Sequence, residues 1–102
     1  KNLKILNTDR NSKSSYWLIC IILKNLKVRK NLISFLNSNR IETRNTFYLA
    51  NTMKIHRKKK KDLRSAKILS DNGICLPSYP DLKPSQIKFI SLKINQFLNK
   101  NK

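Results

Sequence analysis

The side chains that most often bind metals or act as nucleophiles are scarce in this sequence of 102 residues. It contains two cysteines, Cys20 and Cys75, and one histidine, His56. The cysteines are too few and too far apart in sequence for a disulfide framework or a zinc site, and one histidine does not complete a ligand set. The sequence predicts no metal site and no catalytic residue here. A free cysteine in an apolar stretch behaves as a small hydrophobe, so both cysteines are predicted to be buried. The isolated His56 is predicted to lie on the surface.

The positive charge is large, with 23 Lys and Arg against 5 acidic residues and a net charge of +18. One interpretation is a small nucleic-acid-binding protein of ribosomal type, since basic surfaces release counterions from phosphate backbones. The cationic run 57–61 and the scattered aromatic residues fit that alternative. We favour a compositional explanation, because Lys and Asn, which have AT-rich codons, are abundant along the whole chain. A binding surface usually clusters its charge, and the common nucleic-acid-binding motifs are missing from the sequence.

An apolar run from Tyr16 to Leu23 is the first strong structural signal. A continuous run of this length predicts a strand buried on both faces. It is far too short to cross a bilayer, which needs about 20 apolar residues. A membrane-surface role of the last helix, with its lysine face, is a third alternative that we disfavour, because its apolar stripe has to cover the sheet, so no membrane partner is predicted. An amphipathic helix follows and ends near 37–40. Its apolar stripe consists of Val28, Leu32, Phe35 and Leu36.

The second half of the chain predicts a loop, two helices and a short strand. The cationic run 57–61 is typical of a solvated loop, and Asp62 could cap a helix that stops at Asn72–Gly73. A strand at 74–76 ends at Pro77, and Pro84 suits the first turn of a last helix. The inner residues of the first helix are Leu63, Ala66 and Leu69 or Ser70, and those of the last are Ile87, Ile90, Ile94, Phe97 and Leu98. The fold class is α/β, a small sheet with helices packed on it.

Three separated blocks carry a family resemblance. They are SSYWLI at 14–19, IETR at 41–44 followed by Phe47 and Tyr48, and DNGICLPSYPDL at 71–82. In this order and at this spacing they resemble the C-terminal small domain of the DegT/DnrJ/StrS sugar aminotransferases. The resemblance covers residues 14–98.

The resemblance also implies a division of the chain. Residues 1–13 would be a lead-in from a missing upstream domain, and 99–102 a charged tail. The fold expected of residues 14–98 is that of the small domain of fold-type I PLP-dependent transferases.

The resemblance implies an enzyme that uses PLP to transfer an amino group, usually from glutamate, to a keto sugar nucleotide. In this family the larger domain supplies the lysine that forms the Schiff base and the aspartate that pairs with the pyridine nitrogen. Both would lie upstream of this chain. The resemblance therefore implies a homodimeric parent enzyme, and a chain that alone binds no cofactor and has no activity. The two isolated cysteines in apolar stretches separately favour a reducing cytoplasm as the location.

Three residues match positions where the small domain lines the substrate cleft: Arg44, Tyr48 and Asn51. The fork of Arg44 suits a carboxylate or a phosphate, although the side chain could instead pair with Glu42 or face water. Tyr48 could reach a substrate hydroxyl or pack in the core beside Phe47. Asn51 stands where the family usually has a histidine, and an amide can hydrogen-bond but cannot act as an acid or base.

Two further positions depart from the family pattern. Asn45 replaces a proline, and Arg40 stands where glycine is usual at a helix exit. If Arg40 has to be left-handed, the cost is on the order of 1–2 kcal/mol.

Overall fold

A computed structural model of the chain describes residues 3–56 and 63–101. The cationic run 57–61 and Asp62, for which a loop and a helix cap are predicted, lie outside the described residues, as does the side chain of His56. These assignments stay predictions.

The centre of the fold is an antiparallel pair of apolar strands. β2 (Ile19–Leu23) pairs with β4 (Gly73–Leu76), and the flanking strands β1 (Leu3–Ile5) and β3 (Arg44–Asn45) give the order β1-β2-β4-β3. The register places Ile19 opposite Leu76. The two apolar segments that the sequence assigns to one sheet are therefore neighbours, and the predicted α/β class is confirmed.

Three helices follow the order that the sequence predicts: α1 (Leu26–Ser38), α2 (Arg64–Asn72) and α3 (Pro84–Lys100). Two short 3₁₀ turns, Ala50–Thr52 and Lys54–His56, lie between β3 and α2. Among the described residues, no helix has the length and apolar character needed to span a membrane.

The core lies between the sheet and helices α1 and α3. Alternate residues of a strand point to opposite faces, so β2 places Ile21 and Leu23 on the covered face. Burial of such side chains contributes about 1.5–3 kcal/mol each. The buried cluster consists of Ile21, Leu23, Leu32, Leu36, Ile41, Ile74, Ile94 and Phe97.

The strand β2 is shorter than the apolar run that predicts it. Tyr16 has a left-handed backbone (φ 53°), and its N–H donates a hydrogen bond to Ser14 Oγ at 3.0 Å. The chain therefore turns before the strand begins. Tyr16 and Trp17 are consequently 69% and 70% exposed. The apolar run therefore consists of an exposed turn, which contains Tyr16 and Trp17, followed by a buried strand.

Residues near both ends of the described chain form regular secondary structure. β1, inside the predicted lead-in 1–13, pairs with β2, with Leu3 opposite Leu23 and Ile5 opposite Ile21. At the other end, α3 extends to Lys100, inside the predicted tail 99–102. The division of the chain into a lead-in, a domain and a tail stays a prediction. A three-residue strand is too short to show a periodicity, which is why the sequence does not reveal β1.

The exit of α1 has the geometry that the sequence suggests. Arg40 adopts φ 59°, its N–H donates to Asn37 O at 3.0 Å, and the N–H of Ile41 donates to Leu36 O at 2.9 Å. These are the two hydrogen bonds of a Schellman motif, in which glycine normally occupies the left-handed position. Arg40 therefore carries the expected backbone strain.

Replacing Arg40 with glycine is expected to raise the free energy of unfolding by about 1 kcal/mol, because the left-handed penalty is removed and only part of the gain is lost to unfolded-state entropy. Urea denaturation of the 102-residue chain measures this. The control is Arg40→Ala, which removes the same charge but keeps a Cβ. Equal midpoints for the two variants would show that charge, and not backbone conformation, controls the effect.

Candidate functional site

One depression on the molecule, which we call the sheet-edge depression, has a volume of about 400 Å³. It lies at the end of β4 and next to β3. Its ten lining residues all belong to the three sequence blocks at 14–19, 41–44 and 71–82. They are Trp17, Leu18, Glu42, Arg44, Cys75, Leu76, Pro77, Ser78, Tyr79 and Pro80.

Contacts between the blocks hold this depression in shape. Ser78 Oγ donates to the carbonyl oxygen of Trp17 at 3.0 Å, across 61 residues of sequence. The ring of Trp17 lies 6.3 Å from that of Phe47, tilted by 37°. The first and third blocks are thus joined by a hydrogen bond, and an aromatic pair connects the first to the segment after β3.

Of the three predicted site residues, the structure places only Arg44 in the depression. Arg44 lies in β3, directly opposite Cys75 of β4. Tyr48 is 74% exposed, and Asn51 is exposed in the first 3₁₀ turn; neither belongs to the lining. The chain leaves the sheet after Asn45, which carries both residues away from this surface.

The guanidinium of Arg44 is exposed. Glu42 lines the same depression, but within the described residues no ion pair or side-chain hydrogen bond joins Arg44 to it. Arg44 is therefore a cation at the mouth of an otherwise mostly apolar depression. Such a group can bind a carboxylate or a phosphate through two parallel hydrogen bonds.

Arg29 has a positioning role that sequence reasoning missed. From α1, its Nε donates to Gly73 O at 2.9 Å, and its terminal nitrogen donates to the side-chain oxygen of Asn45. Asn45 thus helps to fix β3 against α1. The sequence contains no signal for this contact, because Arg29 lies 16 and 44 residues from its partners.

The two cysteines are brought together by the sheet. Cys20 and Cys75 are directly opposite each other in β2 and β4, with their sulfurs 3.1 Å apart. Cys75 is buried as predicted, whereas Cys20 is only half-buried. Burial, followed by the hydrogen bond with Cys20, raises the pKa of the Cys75 thiol to about 12. In the described part of the chain, no three metal-binding side chains cluster.

A larger groove of about 650 Å³ lies between α3 and the sheet. Its lining is mostly aliphatic and contains no charged side chain, so it offers less chemistry than the sheet-edge depression. The depression itself does not fit PLP, because a Schiff base requires a lysine and its ten lining residues include none.

The sequence profile of the DegT/DnrJ/EryC1/StrS aminotransferase family matches residues 1–95. The chain belongs to this family. The family is PLP-dependent, as the resemblance predicts. The profile includes the segment that contains β1, in agreement with the pairing of that strand in the sheet.

Two curated relatives are GDP-perosamine synthases. The protein from Escherichia coli O157:H7 is 35% identical over 83 residues, which is 81% of this chain and 23% of the relative. The protein from Vibrio cholerae is 39% identical over 89 residues, covering 83% of this chain and 24% of the relative. The chain thus spans about a quarter of the length of the curated relatives it matches.

Solved structures show the same fold. The aminotransferase TlmJ from Streptoalloteichus hindustanus superposes with a TM-score of 0.78 at 18% identity, over 99% of this chain and 27% of that protein. The putative sugar aminotransferase Spr1654 from Streptococcus pneumoniae, in its PMP form, gives 0.77 at 17% identity over 97% and 26%. The predicted fold, a part of a sugar aminotransferase, is confirmed.

Proposed function

We propose that this chain is the C-terminal part of a PLP-dependent aminotransferase that transfers an amino group from glutamate to a keto sugar nucleotide. The observation that carries the proposal is the sheet-edge depression, whose lining comes entirely from the three family-like blocks. The two curated relatives are both GDP-perosamine synthases, which favours a GDP-linked sugar as the substrate class.

In this proposal Arg44 binds an anionic group of a substrate, either the donor carboxylate or a nucleotide phosphate. Its exposed position beside Glu42 leaves the guanidinium available for two hydrogen bonds. Tyr48 and Asn51, both exposed on the segment that follows β3, would contact the sugar from outside the depression. Asn51 would donate or accept a hydrogen bond without transferring a proton.

The cofactor and the reacting lysine belong, in this proposal, to a larger domain of the complete enzyme. When bound there, PLP supplies the electron sink for amino transfer. The residues of this chain would bind and orient substrate and shield the cleft from water. The parent enzyme would act as a cytoplasmic homodimer, and the chain alone would be inactive.

A nucleic-acid-binding role of ribosomal type is the alternative that the charge of +18 suggests. Family membership over residues 1–95 supports the aminotransferase instead. We therefore keep the compositional explanation of the charge and do not propose nucleic acid as a partner.

The test is a chimera in which this chain replaces the matching segment of the Escherichia coli GDP-perosamine synthase. The chimera is expected to form the aminated sugar nucleotide, and Arg44→Ala is expected to lower kcat/KM by about 10- to 100-fold, because a charge-assisted hydrogen bond contributes about 1.5–3 kcal/mol. Product formation is measured with glutamate as donor.

Two controls make this experiment decisive. Arg40→Ala removes an exposed arginine at the end of α1 and should leave kcat/KM unchanged. The unmodified 102-residue chain, mixed with PLP and both substrates, should give no product. A chimera that binds PLP but transfers no amino group would reject the proposed function, and full activity of the Arg44→Ala chimera would reject the role of Arg44.

A further inference from the structure

The backbone around Cys20 determines how closely the two thiols approach. The N–H of Leu6 donates to the carbonyl oxygen of Cys20 at 3.2 Å, so the polar groups of Cys20 point toward β1 and away from β4. Cys20 and Cys75 therefore form a non-hydrogen-bonded pair in the β2–β4 ladder. In such pairs the Cα atoms lie about 4.5 Å apart and the side chains are closest.

This geometry is compatible with a covalent bond between the sulfurs. Disulfides span Cα separations of about 4.4–6.8 Å, a range that includes the non-hydrogen-bonded pair. The sulfurs are 3.1 Å apart, so they have to approach by about 1 Å to reach the S–S bond length of about 2.0 Å. The fold holds in contact two thiols that are 55 residues apart in sequence.

The pair can be reached from outside through Cys20. Cys20 is half-buried, and Cys75 lines the sheet-edge depression. Arg44 lies opposite Cys75 on the other side of β4 and is exposed. This cation and the net charge of +18 attract small anionic oxidants such as glutathione disulfide.

We propose that Cys20 and Cys75 form a redox modification site, which closes to an intrachain disulfide by exchange with a low-molecular-weight disulfide. The thiolate of Cys20 attacks one sulfur of glutathione disulfide, forms a mixed disulfide and releases one glutathione thiolate. The sulfur of Cys75, after losing its proton to the solvent or to that thiolate, then attacks Cys20 Sγ and releases the second glutathione. Two electrons pass from the protein thiols to the oxidant, and two protons to the released thiolates.

The order of the two steps follows from the surroundings of each sulfur. Cys20 is the more exposed of the two, whereas burial holds the pKa of the Cys75 thiol at about 12. Only thiolates attack disulfides, so external oxidant reacts at Cys20 first. Contact between the sulfurs then allows Cys75 to resolve the mixed disulfide within the molecule. This site does not depend on the proposed aminotransferase function.

The experiment incubates the 102-residue chain with mixtures of reduced and oxidised glutathione, under native conditions and in denaturing guanidinium chloride. After acid quenching, free thiols and intact mass are measured. We expect the native chain to lose both thiols together, with a mass loss of two hydrogen atoms and no glutathione adduct. The equilibrium constant for formation of the Cys20–Cys75 disulfide should be at least about 10-fold larger for the native chain than for the denatured chain. The reason is that the fold raises the effective concentration of one thiol at the other.

The serine variants test the order of reaction. Cys75→Ser cannot resolve the intermediate and should accumulate one glutathione on Cys20, whereas Cys20→Ser should remain largely unmodified under native conditions. Equal closure constants for native and denatured chain, or a native product that carries two glutathiones or is a disulfide-linked dimer, would overturn the proposal. Faster modification of Cys20→Ser than of Cys75→Ser would overturn the assigned order.

Discussion

Replacing Gly73 with alanine is expected to lower the free energy of unfolding by about 2–3 kcal/mol. A Cβ at this position would overlap the carbonyl oxygen of Leu69 and lie only 2.6 Å from Thr46 Cγ2. The Leu69 oxygen is held in place because it accepts a hydrogen bond from Thr46 Oγ1 at 2.8 Å. Overpacking of a well-packed site typically costs about 1–3 kcal/mol, which exceeds the gain from a stiffer unfolded chain. Urea denaturation measures the loss.

Thr46 provides the matched control for this substitution. Thr46→Ser removes the methyl group that Gly73→Ala would contact, and keeps the hydroxyl that donates to Leu69 O. The double variant should therefore recover part of the lost stability, while the overlap with the Leu69 oxygen remains. If Gly73→Ala is as stable as the unmodified chain, the close approach of Gly73 to Leu69 and Thr46 does not exist in solution.

Gly73 also shows what a sequence signal can predict and what it leaves out. The pair Asn72–Gly73 correctly predicts the end of α2. Gly73 has φ −87° and ψ 148°, an extended conformation that any residue can adopt, so the backbone conformation does not require a glycine here. The glycine is required because a Cβ would overlap Leu69 O in the last turn of α2 and would also lie close to Thr46, which is in a different part of the chain. The local sequence therefore locates the helix end, and the limited space around Gly73 explains why the residue is a glycine.

The elements with a strong periodic signal could be predicted from the sequence, whereas the bounds and the pairing of the very short strands could not. α1, α3 and β4 begin or end within about two residues of the predicted positions, because their apolar stripes and proline or glycine boundaries are local features. β1 and β3 contain three and two residues and exist only through pairing with longer neighbours. Their positions follow from the register of the sheet, which no local pattern encodes.

The candidate site, too, could be predicted only in part from the sequence. The three blocks could be identified from the sequence, and the structure brings all of them to one depression. Arg44 lines it because β3 continues as far as Asn45, whereas the chain then turns away and leaves Tyr48 and Asn51 outside. The contact between Cys20 and Cys75 was not predicted, because it depends on which residue of β2 faces which residue of β4.

A larger loss of stability, about 3–4 kcal/mol, is expected for Leu32→Ala. Leu32 has no exposed surface and belongs to the buried cluster between α1, α3 and the sheet. Removing its side chain loses the transfer free energy of the missing atoms and leaves a cavity, which in buried leucines costs about 2–5 kcal/mol. Alanine favours helix slightly more than leucine, so the loss cannot come from the helix itself. Chemical denaturation followed by circular dichroism gives the value.

Leu92→Ala on α3 is the control, because the same atoms are removed from a side chain that is 59% exposed. The control should change stability by no more than about 0.5 kcal/mol. A domain of this size has a total stability of about 5–15 kcal/mol, so the core variant loses a large part of it and the control almost none. Similar losses for both variants would mean that the chain is not held together by the cluster around Leu32. A cooperative transition with a clear difference would show that this chain has a core of its own.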